Sequence, residues 1–275
     1  MKFYEYQDPF NTESYADVMR NSGFEAVRLN RTYLYVKRTL LGSIGQVYYP
    51  TEEVRTPLKL RLLEVQGLLD PLPNAMITDY TNTVHVDLDS SQDAIMKSLD
   101  KTKRWGIRKA LERGAQAYNP DTKDAFDDFW EIYLATAKRQ NIHVMSKEFL
   151  EKVFGRKELA KLFVVEAKNQ TIGAYLTLYS ENLARYFYGG FLYEFRDYHP
   201  NELGHYSAMR HFHEKGLKVY DMGGAGKNPQ QGDFKIGWGK LIRIYRCQLY
   251  SSKLLAKAVK NYRKTKVWFR KHYRR

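Results

Sequence analysis

The chain has 275 residues, of which 43% are apolar and 28% are charged, so it can bury the core of one large domain or two small ones. Its single cysteine, Cys247, excludes an intramolecular disulfide and a four-cysteine zinc site. The sequence shows no apolar run of about 18 residues, as a membrane span needs, and no signal-peptide core. We therefore expect a cytoplasmic protein.

The net charge of +14 is concentrated at the C-terminus. Residues 251–275 contain ten Lys or Arg residues and no acidic residue, which leaves +4 for the rest of the chain. Such a block usually meets phosphate groups, on lipid or on nucleic acid. Leu255, Val259, Tyr262 and Phe269 recur there at helical spacing. This pattern predicts an amphipathic tail that contacts an anionic membrane or clamps a nucleic acid; the alternative is a frayed solubilising tail.

The predicted elements alternate between helices and strands. The first half contains a helix at 11–22, strands at 26–36, 42–50 and 84–88, apolar residues with helical spacing at 58–65, and a long helix at 90–113. The second half contains helices at 122–139, 146–155 and 203–215, a hairpin at 162–178, and strands at 183–189, 218–221 and 243–250. This order predicts a mixed α/β fold with helices on the faces of a sheet.

One face of the long helix is basic. Lys97, Lys101, Arg104 and Arg108 follow one another at steps of four, three and four residues, and Lys103 widens the patch. Such a stripe is suited to an RNA or diphosphate backbone. An ordinary solvated basic face is the alternative interpretation.

Three segments resemble the Fem-type aminoacyltransferases. Residues 101–110 (KTKRWGIRKA) are similar to the K-x-R-x-x-I-x-K-A helix of that family, and residues 186–190 (YFYGG) to its Y-Y-x-G-G/A strand end. Residues 219–224 (VYDMGG), followed by 234–239 (FKIGWG), resemble its ending. The three segments occur in the family's order and cover about residues 84–250.

The resemblance implies two GNAT-like subdomains, at 1–121 and 122–250, followed by the tail at 251–275. The first subdomain is shortened, and no segment is long enough for the helical arm that some members carry. The implied reaction joins an amino acid from aminoacyl-tRNA to an amine on a lipid-linked or nucleotide-linked peptidoglycan precursor, with no cofactor and no metal. We expect a monomer in the cytoplasm, at the inner face of the membrane.

Two positions depart from the family. Asp17 and Met145 align where members that bind the precursor's phosphate tend to carry basic residues. The sequence therefore leaves another surface glycan, a peptide or a small amine open as the acceptor.

Lys235, Phe234 and Asp221 are the predicted catalytic residues. Amide formation from an ester passes through an oxyanion, which a fixed cation such as Lys235 stabilises. Phe234 packs beneath that cation or lines the acyl pocket. Asp221 acts as a general base or orients one; alternatively, it is a structural carboxylate that binds N–H groups of the following glycine turn.

The predicted substrate-binding residues surround two glycine pairs. Tyr186 and Tyr188 alternate on one strand and are expected to share a face, either in a substrate channel or in ordinary packing. The full predicted set is Tyr186, Tyr188, Gly189, Gly190, Tyr220, Gly223 and Gly224.

Two other functions would explain parts of the sequence. An acetyl-CoA-dependent acetyltransferase cradles pyrophosphate with a Q/R-x-x-G-x-G/A loop before a helix. The nearest match, residues 201–206 (NELGHY), keeps one glycine and has Tyr206 where a small residue is needed. A non-enzymatic RNA-binding or membrane-binding protein would leave Phe234 and Lys235 unexplained. His205, His211 and His213 lack the i, i+4 spacing of a helical metal site.

Overall fold

The computed structural model describes residues 4–40, 42–56, 58–226 and 234–261, which form two compact units. The first unit contains residues 4–5, 19–81 and those from 243 onward, and the second contains residues 6–18 and 82–242. The division therefore differs from the predicted boundary at residue 121, because the C-terminal strand pairs with a strand of the first unit. Residues 262–275 of the predicted tail, with Tyr262 and Phe269, lie outside the described residues.

The first unit is built on strands in the order β1-β2-β3-β4-β11. The strands are β1 (Glu25–Leu29), β2 (Thr32–Thr39), β3 (Gly42–Tyr48), β4 (Leu62–Leu68) and β11 (Lys240–Tyr250). The β3–β4 pair is parallel and the other neighbouring pairs are antiparallel. Leu34, Val47 and Val65 form its core together with Cys247, the single cysteine of the chain.

The helical interpretation of residues 58–65 is wrong. This segment enters β4, which is hydrogen-bonded to β3 on one side and to β11 on the other. Five of the seven residues of β4 are buried. A strand buried on both faces has a continuous apolar run rather than strict alternation, and such a run does not distinguish a strand from a buried helix.

The second unit is built on strands in the order β5-β10-β9-β8-β7-β6. The strands are β5 (Ile77–Asp87), β6 (Gln116–Tyr118), β7 (Ala160–Ala167), β8 (Gln170–Tyr179), β9 (Leu183–Phe191) and β10 (Val219–Gly226). Only β9 and β10, among these described neighbours, pair in parallel.

Helices accompany this second set of strands. They are α1 (Glu13–Arg20), which begins in this unit, α2 (Gln92–Ser98), α3 (Lys101–Glu112), α4 (Lys123–Gln140), α5 (Lys147–Phe154) and α6 (Pro200–Glu214). Helix α4 lies against β8 and β9, and α6 lies against β7 and β8. The predicted mixed α/β class is confirmed.

The predicted helix at 90–113 is two helices. The chain is extended at Leu99 and Asp100, between α2 and α3. Asp100 donates its N–H to the carbonyl of Gly237 at 2.9 Å. The segment at 237 is therefore held directly against the start of α3, which the helical pattern alone gave no means to foresee.

Helix α6 approaches the strands through a glycine. A Cβ placed at Gly204 would lie 2.2 Å from the ring of Tyr175 on β8. The hydroxyl of Tyr175 donates to Oδ1 of Asn201 at 2.9 Å. The glycine of the 201–206 segment thus serves close helix–strand packing.

Gly204→Ala should lower the free energy of unfolding by about 1–3 kcal/mol, because the added methyl group overpacks the Tyr175 contact. Alanine ordinarily favours a helix by about 1 kcal/mol over glycine, so a loss of stability would isolate the packing effect. Arg210→Ala, at an exposed position on the same helix, should change stability by less than about 0.5 kcal/mol. Urea unfolding of the two variants tests both values, and equal stabilities would contradict the packing argument.

Candidate active site

Lys235 lies beside Gly223 and Gly224, where the register between β10 and β5 is irregular. Its Nζ donates to the carbonyl oxygens of Met222, at 2.7 Å, and Gly224, at 3.0 Å. It also lies 5.3 Å from the ring centroid of Tyr186. Burial lowers the pKa of Lys235 to about 8, against the opposing attraction of Asp221. The ammonium is therefore fixed in place by backbone atoms and loses its proton more readily than an exposed lysine.

Phe234 packs against two other aromatic rings. The centroids of His205 and Trp238 each lie 5.8 Å from that of Phe234. Nζ of Lys103 lies 4.3 Å from the centroid of the Phe234 ring and 6.0 Å from that of the Trp238 ring. A second buried cation therefore lies against the same aromatic cluster.

His205 occupies the centre of that cluster. Its Nδ1 is 2.9 Å from the hydroxyl of Tyr220, and its ring lies edge-on to Tyr186 at 4.8 Å. Burial, assisted by the charges of Lys235 and Lys103, lowers the pKa of His205 to about 3. The imidazole is therefore neutral at physiological pH. The sequence pattern was interpreted for His205 only as a metal ligand, and its position inside the aromatic cluster was not predicted.

Asp221 is buried and its carboxylate is engaged on both oxygens. Oδ1 accepts from the hydroxyl of Thr83 and from the N–H of Gly223, the latter at 2.7 Å. Oδ2 contacts Nη1 of Arg185 at 2.7 Å and Nε2 of His85 at 3.3 Å. Burial alone would raise the pKa of Asp221, but the charge of Arg185 and the hydrogen bonds hold it below its usual range.

Arg185 joins Asp221 to a second buried carboxylate. Its Nε donates to Oδ2 of Asp8 at 3.0 Å, and Nη2 bonds the same oxygen. All three side chains are almost fully buried. Burial raises the pKa of Asp8, although the charge of Arg185 opposes that effect.

These contacts favour a positioning role for Asp221. A carboxylate with a lowered pKa and four donors is a weak base. The same carboxylate holds the Gly223 N–H, and the carbonyls on either side of Gly223 hold Lys235. Asp221 therefore fixes the backbone at Gly223, and the carbonyls of the two neighbouring residues hold the Lys235 ammonium.

The two predicted channel tyrosines do not share a face. Tyr186 pairs with Thr177 and Tyr188 with Leu176, and the register shifts between them at Phe187. Because Leu176 and Thr177 are consecutive, they point to opposite faces of the sheet, and so do their partners. Tyr186 accordingly lies with the cluster around His205, whereas Tyr188 packs on Tyr133 of α4 at 5.2 Å.

The first glycine pair serves close packing. A Cβ at Gly189 would lie 2.1 Å from the carbonyl oxygen of Ala174, and one at Gly190 would lie 2.1 Å from Oγ1 of Thr136. At the second pair, Gly223 has φ +73°, and a Cβ at Gly224 would meet nothing within 4 Å. Among these predicted residues, the structure gathers Tyr186, Tyr220, Gly223 and Gly224 with Phe234, Lys235 and Asp221, and places Tyr188 elsewhere.

The predicted basic stripe is divided by the break between α2 and α3. Lys97 lies on α2, whereas Lys101 and Arg108 are exposed on α3. The guanidinium of Arg104 donates to the carbonyls of Lys97 and Leu99, and so satisfies the C-terminal end of α2. The assignment of Lys103 to the exposed patch is wrong, because its side chain is buried against Phe234.

The sequence motifs did not indicate that Asp8, Arg185 and His85 belong to the candidate site. Arg185 interrupts an otherwise apolar and aromatic strand, and a charged residue at such a position is a signal that could have found it. Its partner Asp8 is 177 residues away, which no local pattern reveals. In the part of the chain that the structure describes, no group of three or more His, Cys, Asp or Glu could hold a metal ion. The described helices include none that is long and apolar enough to cross a bilayer.

Comparisons with known proteins agree with this architecture. Residues 97–235, about half of the chain, match the sequence profile of the acetyltransferase (GNAT) domain. A Lipid II:glycine glycyltransferase of Staphylococcus aureus is 26% identical in an alignment of 126 residues that covers 41% of this chain and 30% of that protein. The match thus spans less than a third of the relative's length.

Two solved structures share the fold. The crystal structure of FemX has a TM-score of 0.71 at 15% identity, over 86% of this chain and 92% of that one. The C-terminal domain of a putative lysylphosphatidylglycerol synthetase from Agrobacterium fabrum has a TM-score of 0.58 at 10% identity, with 90% of each chain covered. Together with the profile match, they confirm the predicted resemblance to the Fem-type proteins.

Arg185→Met should lower the free energy of unfolding by about 3–5 kcal/mol at pH 7, because it leaves two buried carboxylates without their counter-ion. The deficit should shrink as the pH falls from 7 to 5: without Arg185, burial raises the folded-state pKa of both carboxyls, and protonation then favours the folded state. Arg38→Met removes an exposed pair with Glu25 and should cost less than about 1 kcal/mol. Denaturant titrations at several pH values test this, and a pH-independent deficit would contradict the explanation.

Proposed function

Because the chain belongs to the GNAT acyltransferase family, we propose that it is a tRNA-dependent aminoacyltransferase that joins an amino acid from aminoacyl-tRNA to an amine of a lipid-linked peptidoglycan precursor. The main support for the proposal is the position of the Lys235 ammonium, which two backbone carbonyls fix beside Gly223 and Gly224. The Staphylococcus aureus relative is named for glycyl transfer to lipid II, which supports amino-acid transfer to a lipid-linked acceptor.

The reaction needs a stabilised oxyanion and a protonated leaving group. The acceptor amine attacks the ester carbonyl of the aminoacyl-tRNA; the tetrahedral intermediate then collapses to the amide and releases the terminal ribose hydroxyl of the tRNA. An ammonium carries three N–H donors. Two of those of Lys235 are used by carbonyl oxygens among the described residues, and the third is directed in our mechanism at the oxyanion or the leaving oxygen.

The neutral aromatic surroundings strengthen this effect. The Tyr186 ring lies 5.3 Å from Nζ of Lys235. Tyr186 and Phe234 both pack against His205, whose ring carries no charge. A charge interaction in such a site is weakened less by water than one on the surface. Asp221, the carboxylate beside Lys235 among the described residues, is fully engaged and is a poor base for the proton of the acceptor amine. We therefore assign its removal to solvent or to the substrate itself.

The structure around α6 argues against acetyl-CoA as the donor. A CoA cradle requires N–H groups at the start of a helix that approach a pyrophosphate closely. In this chain, Gly204 of the degenerate segment is buried against Tyr175, and Asn201 is hydrogen-bonded to the same tyrosine. The segment is used for packing. An acetyl-CoA-dependent transfer remains the second candidate, since it is the activity for which the matched domain is named.

Charged side chains at the surface are the proposed contacts of the donor and the acceptor. The exposed side chains of Lys101 and Arg108 on α3, with Lys97 on α2, are proposed to contact phosphates of the tRNA. At the acceptor side, the carboxylate of Asp17 lies 3.6 Å from the guanidinium of Arg156, so a basic group accompanies the acidic residue that departs from the family. We place the enzyme at the inner face of the membrane, as a monomer.

Lys235→Ala should reduce transfer to lipid II by about 100-fold or more, because it removes one oxyanion donor. The assay supplies radiolabelled aminoacyl-tRNAs and lipid II in one arm and acetyl-CoA in the other. Lys240→Ala, an exposed lysine five residues away, is the matched control and should keep full activity. Consumption of acetyl-CoA, with no transfer from aminoacyl-tRNA, would refute the proposed donor.

The pH profile provides an independent test of the charge on Lys235. If the protonated form is active, kcat/KM should fall as the pH rises through about 8, the pKa of Lys235, and should lose about tenfold per further unit. In Lys235→Arg the side chain stays charged throughout this range, so the high-pH limb should disappear from whatever activity remains. An unchanged limb in that variant would assign the titration to another group.

A further inference from the structure

An apolar pocket of about 560 Å³ opens at one end of the first unit. It lies where β2 and β3 meet, next to the ends of β4 and β11 and the helical residues 253–261. Its apolar lining consists of Leu40, Ile44, Leu62, Tyr250, Leu255 and Val259. Leu40, at its edge, is fully exposed, and Leu254 on the adjoining helix is 81% exposed. Large leucines exposed beside an open apolar pocket indicate an interaction surface.

The rim of this pocket is positively charged. The segments that surround it, residues 37–40, 42–44, 58–62 and 250–261, contain no Asp or Glu and seven Lys or Arg. Five of the cations are exposed lysines: Lys37, Lys59, Lys253, Lys257 and Lys260. The helix at 253–261 therefore presents basic side chains to solvent while Leu255 and Val259 line the pocket.

We propose that this surface docks the protein on an anionic lipid bilayer, with Leu40 and Leu254 inserted at the level of the headgroups and the surrounding lysines on lipid phosphates. Exposed apolar residues flanked by lysines are typical of peripheral membrane binding. Each basic residue near an anionic surface and each buried apolar group adds to the partition. The inference is independent of the proposed aminoacyl transfer, although a surface-bound enzyme would be held close to a lipid-linked acceptor.

The pocket favours lipid over RNA as the partner. An RNA backbone offers phosphates and stacked bases, so it requires cations and exposed aromatic rings. Among the described residues, the exposed apolar groups here are aliphatic, and Arg61 is the one charged residue that lines the pocket. An acyl-chain boundary matches both the aliphatic residues and the basic rim.

Vesicle co-sedimentation of the full chain tests the proposal. Binding to phosphatidylcholine vesicles that contain phosphatidylglycerol should exceed binding to phosphatidylcholine alone by about tenfold or more. The double variant Leu40→Asp/Leu254→Asp should lower the affinity by about tenfold or more while the basic residues stay intact. The triple variant Lys253→Gln/Lys257→Gln/Lys260→Gln should have an effect of similar size that salt reduces.

Matched controls keep the result specific. Arg28→Gln/Arg31→Gln/Arg55→Gln removes the same charge from exposed positions of the same unit, and Leu111→Asp changes an exposed leucine on α3. Both should bind like the unmodified chain, and thermal unfolding should show that all variants are folded. Unchanged vesicle binding by the Leu40/Leu254 variant would overturn the proposal, since charge alone would then suffice.

A fluorescent label distinguishes insertion from simple attraction. Cys247 is the single cysteine and is buried, so a thiol-reactive, environment-sensitive dye can be placed at Leu40→Cys. Its emission should shift to the blue on anionic vesicles, whereas the same dye at Arg55→Cys should not change. If the lysine variant loses tRNA binding but keeps vesicle binding, the basic rim serves RNA and the proposal is wrong.

Discussion

The arrangement of the candidate site depends on one buried guanidinium. Arg185 lies between the carboxylates of Asp8 and Asp221, and each of the three would be expensive to bury alone. Asp8 belongs to the N-terminal segment, Arg185 to β9 and Asp221 to β10, so one set of charges joins three distant parts of the chain. Such networks contribute little net stability against an apolar core of the same volume, but they penalise every arrangement that leaves a charge unpaired.

The position of the Lys235 ammonium follows from this network. Asp221 accepts the N–H of Gly223, and the positive φ of Gly223 turns the chain so that the carbonyls of Met222 and Gly224 both meet Lys235. A lysine held by two carbonyls loses less freedom when substrate arrives. Burial lowers the pKa of Lys235 to about 8. The side chain is therefore mostly protonated at neutral pH and loses its proton as the pH rises above 8.

Glycines and aromatic rings decide how the strands and helices of the second unit approach one another. Gly190 admits Thr136 of α4, and Gly204 admits the ring of Tyr175. Those contacts bring His205 into a cluster of rings whose low polarity keeps it neutral. In a GNAT-family protein the start of this helix is an expected position for a phosphate cradle, and here its glycine is buried against Tyr175.

Local periodicity and short motifs were enough to predict the alternation of helices and strands, the α/β class, the resemblance to Fem-type proteins, and Lys235 as a site residue near a glycine pair. The other features depend on tertiary contacts. Strand pairing shows that 62–68 is a strand and that the register shift at Phe187 turns Tyr186 and Tyr188 to opposite faces. The packing of α3 against Phe234 shows that Lys103 is buried. The partnership of Asp8 with Arg185 spans 177 residues, and contacts at that separation depend on how the strands assemble, which no local pattern encodes.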